Sequence, residues 1–277
     1  MSTAASGCGP ECVSTSYLKD QVIVVTGASR GIGLAAASSL LKRGAKVALL
    51  ARQRAPLEAA VADLNTDRAL AVVADVCDRA AVEQALARVV QAFGRIDGLV
   101  NNVGFQFARR IELMPEAEVR QLIDLNFLSA VFACQAAIPH LRASGGGRIV
   151  NISSSTVRHE NEFSHLGLYS ASKAALEHFS RELRHELKPD QILVTVFSPG
   201  AAATGSVANF DPQALQEAMA DWLTKGPKFD GALQPQTVGE AIAACFEFPP
   251  GAAPEFIEVR PSMPTPKMLE SDWKPNS

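Results

Sequence analysis

Short apolar runs rich in β-branched residues alternate along this chain with longer segments of helical periodicity. The run Gln21–Thr26 (QVIVVT) precedes a helical pattern over Gly31–Arg43, and Lys46–Leu50 (KVALL) precedes another over Pro56–Leu64. Strands that are apolar throughout are typical of parallel sheets covered on both faces. Because strand–helix–strand crossovers are right-handed, the pattern predicts an α/β fold, a Rossmann-type doubly wound parallel sheet with helices on both faces.

The alternation continues to the end of the chain and predicts about seven strands in one sheet. The later strands are predicted at Ala69–Ala74, Gly98–Asn101, Gly147–Ser153, Ile192–Ser198 and Glu255–Val259. The later helices are predicted at Arg79–Phe93, Glu116–Leu141, Leu168–Leu187 and, as one or two helices, between Pro212 and Phe246. Pro139 favours a break near the end of the long helix that contains it, because proline removes a backbone donor.

Size and composition are those of one large globular domain. Of the 277 residues, 47% are hydrophobic and 20% are charged, which provides enough apolar material for an extensive core. No repeat or long linker divides the chain, so we expect one domain over residues 18–260, flanked by tails at residues 1–17 and 261–277. A net charge of −3 gives no bulk attraction to nucleic acid or to an anionic membrane surface.

Neither a secreted nor a membrane-spanning protein is expected. Residues 1–17 lack the basic start and apolar run of a signal peptide, and no run approaches the roughly 18 consecutive apolar residues of a membrane span. The five cysteines are an odd number spread over a long chain, so we expect free thiols and a cytoplasmic location. Cys8 and Cys12 have no second pair nearby, and no metal site is predicted.

A glycine-rich turn follows the first predicted strand and opens directly into the first helix. Residues 26–33 read Thr-Gly-Ala-Ser-Arg-Gly-Ile-Gly. Glycines let the backbone approach a ligand closely and let the helix pack on the strand. The amino end of a helix offers free N–H groups and a partial positive charge, which suits a pyrophosphate. In this context the turn predicts a dinucleotide site rather than a tight turn without a ligand.

This turn resembles the cofactor loop of the short-chain dehydrogenase/reductase family. Further motifs resemble that family in its own order over Lys19–Gly200, namely Asp75, Asn101-Asn102-Val103-Gly104, Asn126, Ile152-Ser153-Ser154, Tyr169-x-x-x-Lys173 and Pro199-Gly200. Val103 stands where the family motif has alanine. The resemblance implies an oxidoreductase that moves a hydride between a nicotinamide cofactor and a carbonyl or alcohol carbon of a small-molecule substrate.

The resemblance also implies which residues bind the cofactor. The glycine-rich turn would hold the pyrophosphate, Asp75 the adenine, and the segment from Pro199 to Thr204 the carboxamide of the nicotinamide. The residues expected at the cofactor are Gly27, Ser29, Arg30, Gly31, Ile32, Gly33, Arg52, Asp75, Val76, Asn102, Gly104, Tyr169, Lys173, Pro199, Gly200 and Thr204.

NADP(H) is predicted in preference to NAD(H). An NAD site usually has an acid at the end of the second strand to bind the ribose 2′-hydroxyl, yet Leu34–Leu57 contains no Asp or Glu. Arg30 and Arg52 stand where guanidinium groups would hold a 2′-phosphate, and in the resembling family basic residues at these places go with NADP. The alternative is that both arginines are ordinary surface residues.

Tyr169 and Lys173 are the predicted acid–base pair, four residues apart on one face of a helix. A free tyrosine has a pKa near 10, and we expect the nearby ammonium to lower it. The resemblance implies that Lys173 also bonds the nicotinamide ribose. Ser154 would hydrogen-bond the substrate oxygen. Three consecutive serines and a gap of 15 residues to Tyr169 leave Ser153 open as the alternative.

Asn126 is the fourth predicted catalytic residue. It lies in an apolar helical stretch, where an amide costs stability unless it is satisfied. The resemblance implies that this position holds a water that links Lys173 to solvent. The alternative is a satisfied amide in the core.

The substrate pocket is predicted from Phe105–Leu113, Val157–Leu168 and Ala201–Phe229, which mix aromatic and basic side chains. These segments suit a small to medium-sized, partly apolar carbonyl compound. His159 and His165 are expected in a solvated loop rather than against the substrate.

Two other functions remain open. One is an epimerase or dehydratase that uses the same site and retains its nucleotide, and the other is a nucleotide-sensing binding protein without catalysis. The presence of Asn126, Ser154, Tyr169 and Lys173 together favours the redox enzyme. The resemblance further implies a homodimer or homotetramer that pairs the two long helices.

Overall fold

The structure, a computed structural model, describes residues 17–159, 163–204, 210–225 and 231–262. Within these residues seven strands form one parallel sheet in the order β3-β2-β1-β4-β5-β6-β7. The strands are β1 Val22–Thr26, β2 Lys46–Ala51, β3 Ala69–Val73, β4 Gly98–Asn101, β5 Gly147–Ile152, β6 Ile192–Pro199 and β7 Phe256–Val259. The order turns back between β1 and β4, which confirms the predicted doubly wound sheet. Cys8 and Cys12 lie outside the described residues.

Helices cover both faces of this sheet. They are α1 Gly31–Lys42, α2 Arg54–Leu64, α3 Arg79–Phe93, α4 Glu116–Ile123, α5 Ser129–Ala143, α6 Gly167–Leu187, α7 Pro212–Lys225 and α8 Pro235–Ala244. Short 3-10 turns lie at Ile111–Leu113, Ser155–Val157 and Lys188–Asp190. Each predicted strand begins and ends within one residue of the observed strand, because the apolar runs end sharply at polar residues, glycine or proline.

The central strands are buried on both faces because nearly all their side chains are apolar. All five residues of β1 are buried, and so are five of the six in β2. Val24 pairs in register with Ala48 on one side and Leu99 on the other. Successive side chains point to opposite faces of a sheet, so Val24 joins the core cluster that includes α3, α5 and α6, whereas Val25 joins the cluster that includes α1 and α8.

The long helix is irregular at Asn126 and not at Pro139. One π-helical turn, Asp124–Leu128, joins α4 to α5. The predicted break near Pro139 is wrong, since α5 continues through it to Ala143. Pro139 and Gln135, the residue whose carbonyl loses its helical donor, are both exposed, so water can replace the missing bond. A π-helical turn inside an α-helix often marks a functional position.

The combined helix Glu116–Ala143 is long and apolar enough to cross a membrane by length and composition alone. Its most apolar 18-residue window has a mean hydropathy of 1.5, and 44% of that window is buried in this fold. The core helix of a globular protein passes the same test. Polar residues interrupt the apolar ones at Asp124, Asn126 and Ser129. A count of consecutive apolar residues therefore does not detect that this helix is long and apolar enough. The expected pairing of this helix with a second subunit stays a prediction.

Gly239 lets α8 approach α1 closely. A Cβ atom at Gly239 would lie 2.5 Å from the backbone carbonyl carbon of Ala35 and 2.6 Å from its oxygen. α1 begins at the last residues of the glycine-rich turn, so the packing of α8 helps to fix the direction of that turn.

We predict that Gly239→Ala lowers the free energy of unfolding by about 1–3 kcal/mol, because the new methyl group forces two helix backbones apart. Gly167→Ala is the matched control, since nothing lies within 4 Å of a Cβ atom at Gly167. The control should change stability by less than about 1 kcal/mol. Urea unfolding followed by circular dichroism measures the free energy of unfolding of both variants. If both variants lost the same free energy of unfolding, the close approach of α1 and α8 would be contradicted.

Candidate active site

The carboxyl ends of β1, β4 and β5 lie side by side where the strand order turns back, which is where doubly wound sheets bind ligands. The glycine-rich turn follows β1, Asn102 follows β4 and Ser153 follows β5. The first two turns of α6, which carry Tyr169 and Lys173, contact the end of β5. The fold thus brings together motifs that are far apart in the sequence.

The glycine-rich turn forms a cradle that side chains would fill. Gly27 and Gly31 have φ values of +65° and +58°, a backbone conformation that favours glycine. A Cβ atom at Gly33 would lie 2.5 Å from both the Gly27 carbonyl oxygen and Asn102 Nδ2. Among the described residues no side chain caps the amino end of α1, so its first N–H groups can bind an anion. These features fit the pyrophosphate of a nicotinamide dinucleotide.

Asn102 braces this turn. Its Nδ2 donates to the carbonyl oxygens of Thr26 at 2.9 Å and Gly27 at 3.2 Å, and its backbone N–H donates to Thr26 Oγ1 at 3.0 Å. The predicted contact residue therefore shapes the cradle itself. Of the other predicted cofactor residues, Ile32 and Val76 pack with the hydrophobic core clusters, and Ser29 is half-buried in the turn.

Arg30 and Arg52 are both exposed beside the expected ribose end of the site. The Arg52 side chain keeps 72% of its surface exposed, and its Nη1 lies 4.0 Å from Asp75 Oδ2. Asp75 Oδ1 accepts from the backbone N–H of Cys77 at 3.0 Å. The two residues predicted for the 2′-phosphate and the adenine are thus neighbours at the ends of β2 and β3.

The segment that follows β6 also lies against the glycine-rich turn. Pro199 ends β6, and the Gly200 N–H donates to the Val259 carbonyl of β7 at 2.8 Å. Thr204 lies over the turn, with its Cγ2 atom 3.7 Å from the place of a Cβ atom at Gly31. The predicted cofactor residues therefore surround one crevice.

Lys173 is buried, with 2% of its surface exposed, and its Nζ donates to the Ile152 carbonyl oxygen at 2.8 Å. Burial disfavours the ammonium and lowers the pKa of Lys173 from its ordinary 10.5 to about 8. A Cβ atom at Gly104 would lie 3.1 Å from this Nζ, so glycine leaves space beside the amine. Lys173 is thus held rigidly and titrates close to neutral pH.

Tyr169 is a half-buried residue whose phenol contacts Ser154. Burial raises the pKa of Tyr169 above its ordinary value near 10, and the hydrogen bond with Ser154 opposes that rise. The predicted lowering of the Tyr169 pKa by Lys173 is wrong for this structure, because desolvation outweighs the hydrogen bond with Ser154, and Lys173 is not among the groups that shift this pKa. Tyr169 is therefore protonated at neutral pH.

The three consecutive serines have different partners. Ser153 Oγ donates to Glu177 Oε1 at 2.7 Å. Ser154 Oγ contacts Tyr169 and accepts from Thr156 Oγ1 at 3.0 Å. The geometry thus favours Ser154, the predicted residue, over Ser153 as the hydroxyl beside the reacting atoms.

The Asn126 side chain is satisfied within the fold. Its Oδ1 accepts from the Phe105 N–H at 2.7 Å, and its Nδ2 donates to the Phe105 carbonyl at 2.8 Å and to Ser172 Oγ at 3.0 Å. These contacts are those of a satisfied core amide. Asn126 Oδ1 would lie 3.5 Å from a Cβ atom at Gly104, and so borders the same space as Lys173 Nζ. The relay role of Asn126 stays a prediction.

The three predicted substrate segments converge on Tyr169 as an apolar cluster. Its buried members are Ala108, Leu166, Phe210, Ala218 and Trp222, with Phe163, Tyr169, Leu215 and Met219 packed against them. Phe163 and Trp222 meet edge to face with ring centroids 5.8 Å apart. Trp222 Nε1 donates to the Ser164 carbonyl at 2.8 Å, which fixes the indole.

The prediction of a solvated loop is wrong for His165, whose side chain is buried, whereas His159 lies on a bend with 31% of its side chain exposed. His159 Nε2 lies 2.7 Å from Glu258 Oε1 on β7. His165 Nε2 lies 3.2 Å from Asp221 Oδ2 on α7, with 6% of the side chain exposed. Both contacts join residues far apart in the sequence, which local polarity does not predict.

A cavity of about 720 Å³ lies beside the first turns of α6. It is lined by Arg109, Arg110, Ile111, Glu112, Met114, Ser164, His165, Gly167, Leu168, Ala171 and Asp221. Successive helical residues are rotated by about 100°, so Leu168 and Ala171 face away from Tyr169. The charges of Arg109 and His165 are paired with Glu118 and Asp221. Residues of all three predicted substrate segments line this cavity, whereas Ser154, Tyr169 and Lys173 are not among its lining residues.

Glu177 and Ser170 contribute to the site and were not predicted. Ser170 Oγ donates to the Thr156 carbonyl at 2.9 Å, and Glu177 accepts from Ser153. The sequence does indicate a role for Glu177. This residue lies four positions after Lys173, and therefore on the helix face that is predicted to be buried. An acid on such a face requires a partner.

Known proteins resemble this chain over most of its length. A family model described as short chain dehydrogenase matches residues 21–214. An uncharacterized oxidoreductase of Staphylococcus aureus strain USA300 is 30% identical over 246 residues, which cover 89% of this chain and 99% of the relative.

Two solved structures share the fold at 27% sequence identity. One is an alcohol dehydrogenase from the archaeon Thermococcus sibiricus complexed with 5-hydroxy-NADP, with a TM-score of 0.74 over 90% of this chain and 99% of that one. The other is a 3-ketoacyl-(acyl-carrier-protein) reductase from Brucella melitensis complexed with NADH, with a TM-score of 0.76 over 88% and 98%.

The low pKa of Lys173 predicts a pH dependence of stability. The unfolded lysine binds its proton more tightly than the folded one, so the cost of the buried ammonium is relieved as the pH rises from about 8 toward 10.5. Relative to Lys173→Met, the unsubstituted protein should gain about 2 kcal/mol of unfolding free energy between roughly pH 7 and 9.5. Urea unfolding at several pH values measures this difference. The difference in unfolding free energy between the unsubstituted protein and Lys188→Met, at an exposed position, should not change with pH. A difference from Lys173→Met that is equally constant over this pH range would contradict the account.

Proposed function

The chain belongs to the short-chain dehydrogenase/reductase family of oxidoreductases, and from this premise we propose that it reduces a carbonyl group of a partly apolar substrate with NADPH, using Tyr169 as the proton donor. The observation that carries the proposal is the contact between the half-buried Tyr169 phenol and the buried Ser154 hydroxyl, one helical turn from the buried Lys173. This arrangement can hold a carbonyl oxygen between two hydroxyl donors.

Each polar group has one part in the reaction. NADPH, when bound, supplies the hydride. The Ser154 and Tyr169 hydroxyls orient the substrate oxygen and stabilise the negative charge that develops on it. The Tyr169 hydroxyl gives its proton to that oxygen, and Lys173, which titrates near neutral pH, supports the return of a proton to Tyr169. Asn126 borders the same space and is proposed to hold the outer end of this proton path.

The state of Tyr169 supports reduction as the direction proposed. The phenol is the form that can donate a proton, and desolvation raises the pKa of Tyr169 and so favours that form over the phenolate. Alcohol oxidation would require the phenolate, which burial disfavours. The apolar cluster beside Tyr169 excludes water and supports a substrate with an apolar body next to its carbonyl group.

Arg30 and Arg52 support NADPH as the cofactor. Both are exposed at the end of the site where the ribose 2′-position is expected, and β2 ends without an acid. The Thermococcus sibiricus alcohol dehydrogenase is complexed with a derivative of NADP. The Brucella melitensis reductase is complexed with NADH. Membership of the family is therefore compatible with either cofactor, and the two arginines are what favours NADPH.

We predict that Tyr169→Phe lowers kcat for carbonyl reduction by about 10²–10⁴-fold, because the proton donor is lost while the ring stays packed. NADPH oxidation across a panel of ketones, aldehydes and diketones measures the loss. The matched control is Tyr17→Phe at the other tyrosine, which is exposed and should keep full activity. Carbonyl reduction by Tyr169→Phe at the unsubstituted rate would exclude the proposed role.

We predict that Arg52→Ala weakens NADPH binding by about 10- to 100-fold, the cost of a charge-assisted hydrogen bond to phosphate, and leaves NADH binding nearly unchanged. Titration of nicotinamide fluorescence measures both dissociation constants. Arg120→Ala is the control, since that side chain is 73% exposed, as Arg52 is 72% exposed, and lies on α4. An equal loss for NADPH and NADH would argue against a contact between Arg52 and the 2′-phosphate.

A further inference from the structure

Glu177 is a buried carboxylate that the proposed reaction does not use. It lies one helical turn after Lys173, with 4% of its surface exposed. Its Oε1 accepts from Ser153 Oγ at 2.7 Å, and its Oε2 pairs with Arg158 Nη2 at 3.1 Å. A buried carboxylate is costly unless both its charge and its hydrogen-bonding capacity are met. The two contacts of Glu177 are therefore a strong restraint on Ser153 and Arg158.

These two partners flank Ser154. Ser153 precedes it directly, and Arg158 follows the 3-10 turn Ser155–Val157. The guanidinium carbon of Arg158 lies 3.8 Å from the centre of the Phe256 ring, which restricts this side chain further. One carboxylate thus ties both ends of the segment that carries the Ser154 hydroxyl to the helix that carries Tyr169.

α6 holds the same segment at two further points. Ser170 Oγ donates to the Thr156 carbonyl at 2.9 Å, and Lys173 Nζ donates to the Ile152 carbonyl at 2.8 Å. Tyr169, Lys173 and Glu177 recur at intervals of four residues, so they lie on one face of the helix. Three successive turns of α6 therefore hold residues 152–158 against that face.

We propose that Glu177 is a positioning residue, which holds the Ser154 hydroxyl at Tyr169 by fixing Ser153 and Arg158. The inference rests on the proposed carbonyl reduction. Because Glu177 contacts Ser153 and Arg158, it acts on the reaction through Ser154. A displacement of about 1 Å of a catalytic group can lower a rate by about 100-fold, so a hydroxyl on a loosened turn loses most of its effect.

The variant that tests this is Glu177→Gln, which keeps the size of the side chain and removes its charge. We expect kcat to fall by about 10- to 100-fold while KM and the dissociation constant of NADPH stay within about threefold. Ser153→Ala, which removes the other half of the hydrogen bond and leaves Glu177 in place, should lower kcat in the same way. Glu182→Gln, an exposed acid on the same helix, is the control and should leave kcat unchanged.

A double-mutant cycle separates positioning from a general loss of structure. In a Ser154→Ala background, Glu177→Gln should lower kcat by less than about twofold further, because the group it positions is already absent. If Glu177→Gln lowers kcat by as large a factor in the Ser154→Ala background as in the unsubstituted protein, the inference is overturned. It is also overturned if neither Glu177→Gln nor Ser153→Ala changes kcat.

Amide hydrogen exchange gives a readout that does not depend on turnover. Peptides covering residues 153–158 should exchange faster in Glu177→Gln, or in Ser153→Ala if Glu177→Gln does not fold, than in Glu182→Gln. Unchanged exchange overturns the inference. If the unsubstituted protein reduces no carbonyl, the proposed reaction fails, and exchange in this segment still decides whether Glu177 holds it.

Discussion

The buried hydrogen bond from Lys173 Nζ to the Ile152 carbonyl joins the two elements on which the site depends. It ties α6 to the end of β5 and holds a titratable amine in the buried interior, with 2% of Lys173 exposed. Such burial costs free energy, which is why the pKa of Lys173 falls to about 8. A sheet whose strands are buried on both faces offsets this cost and keeps the strand ends in place.

Desolvation in this part of the fold also affects the pKa of Tyr169, the residue one helical turn before Lys173. It raises this pKa above its ordinary value near 10, and the Ser154 hydroxyl is held next to Tyr169 by a turn bonded to α6 at several points. The glycine-rich turn adds a second, independent constraint, since its positive φ values and close contacts leave room for a pyrophosphate and exclude side chains. The glycine-rich turn thus fits an anionic group, and the groups around Tyr169 are those proposed to transfer the proton.

The sequence predicts the parts of this site that depend on local pattern. Apolar runs predict the strands to within one residue, and the spacing of Tyr169 and Lys173 places both on one helix face. The features of the site that the sequence does not predict depend on contacts between distant segments. The partners of His159 and His165 and the pairing of Glu177 with Arg158 each join elements that only the folded sheet brings together. The raised pKa of Tyr169 was missed for the same reason, because burial is a property of the whole fold.

The most direct test of hydride transfer is to reduce a carbonyl substrate with NADPH carrying deuterium at C4 of the nicotinamide, on either face in separate reactions, and to weigh the alcohol product by mass spectrometry. The account predicts one deuterium on the new carbinol carbon from one labelled face and none from the other. Alcohol formed without deuterium from either face would contradict hydride transfer and with it the reductase function.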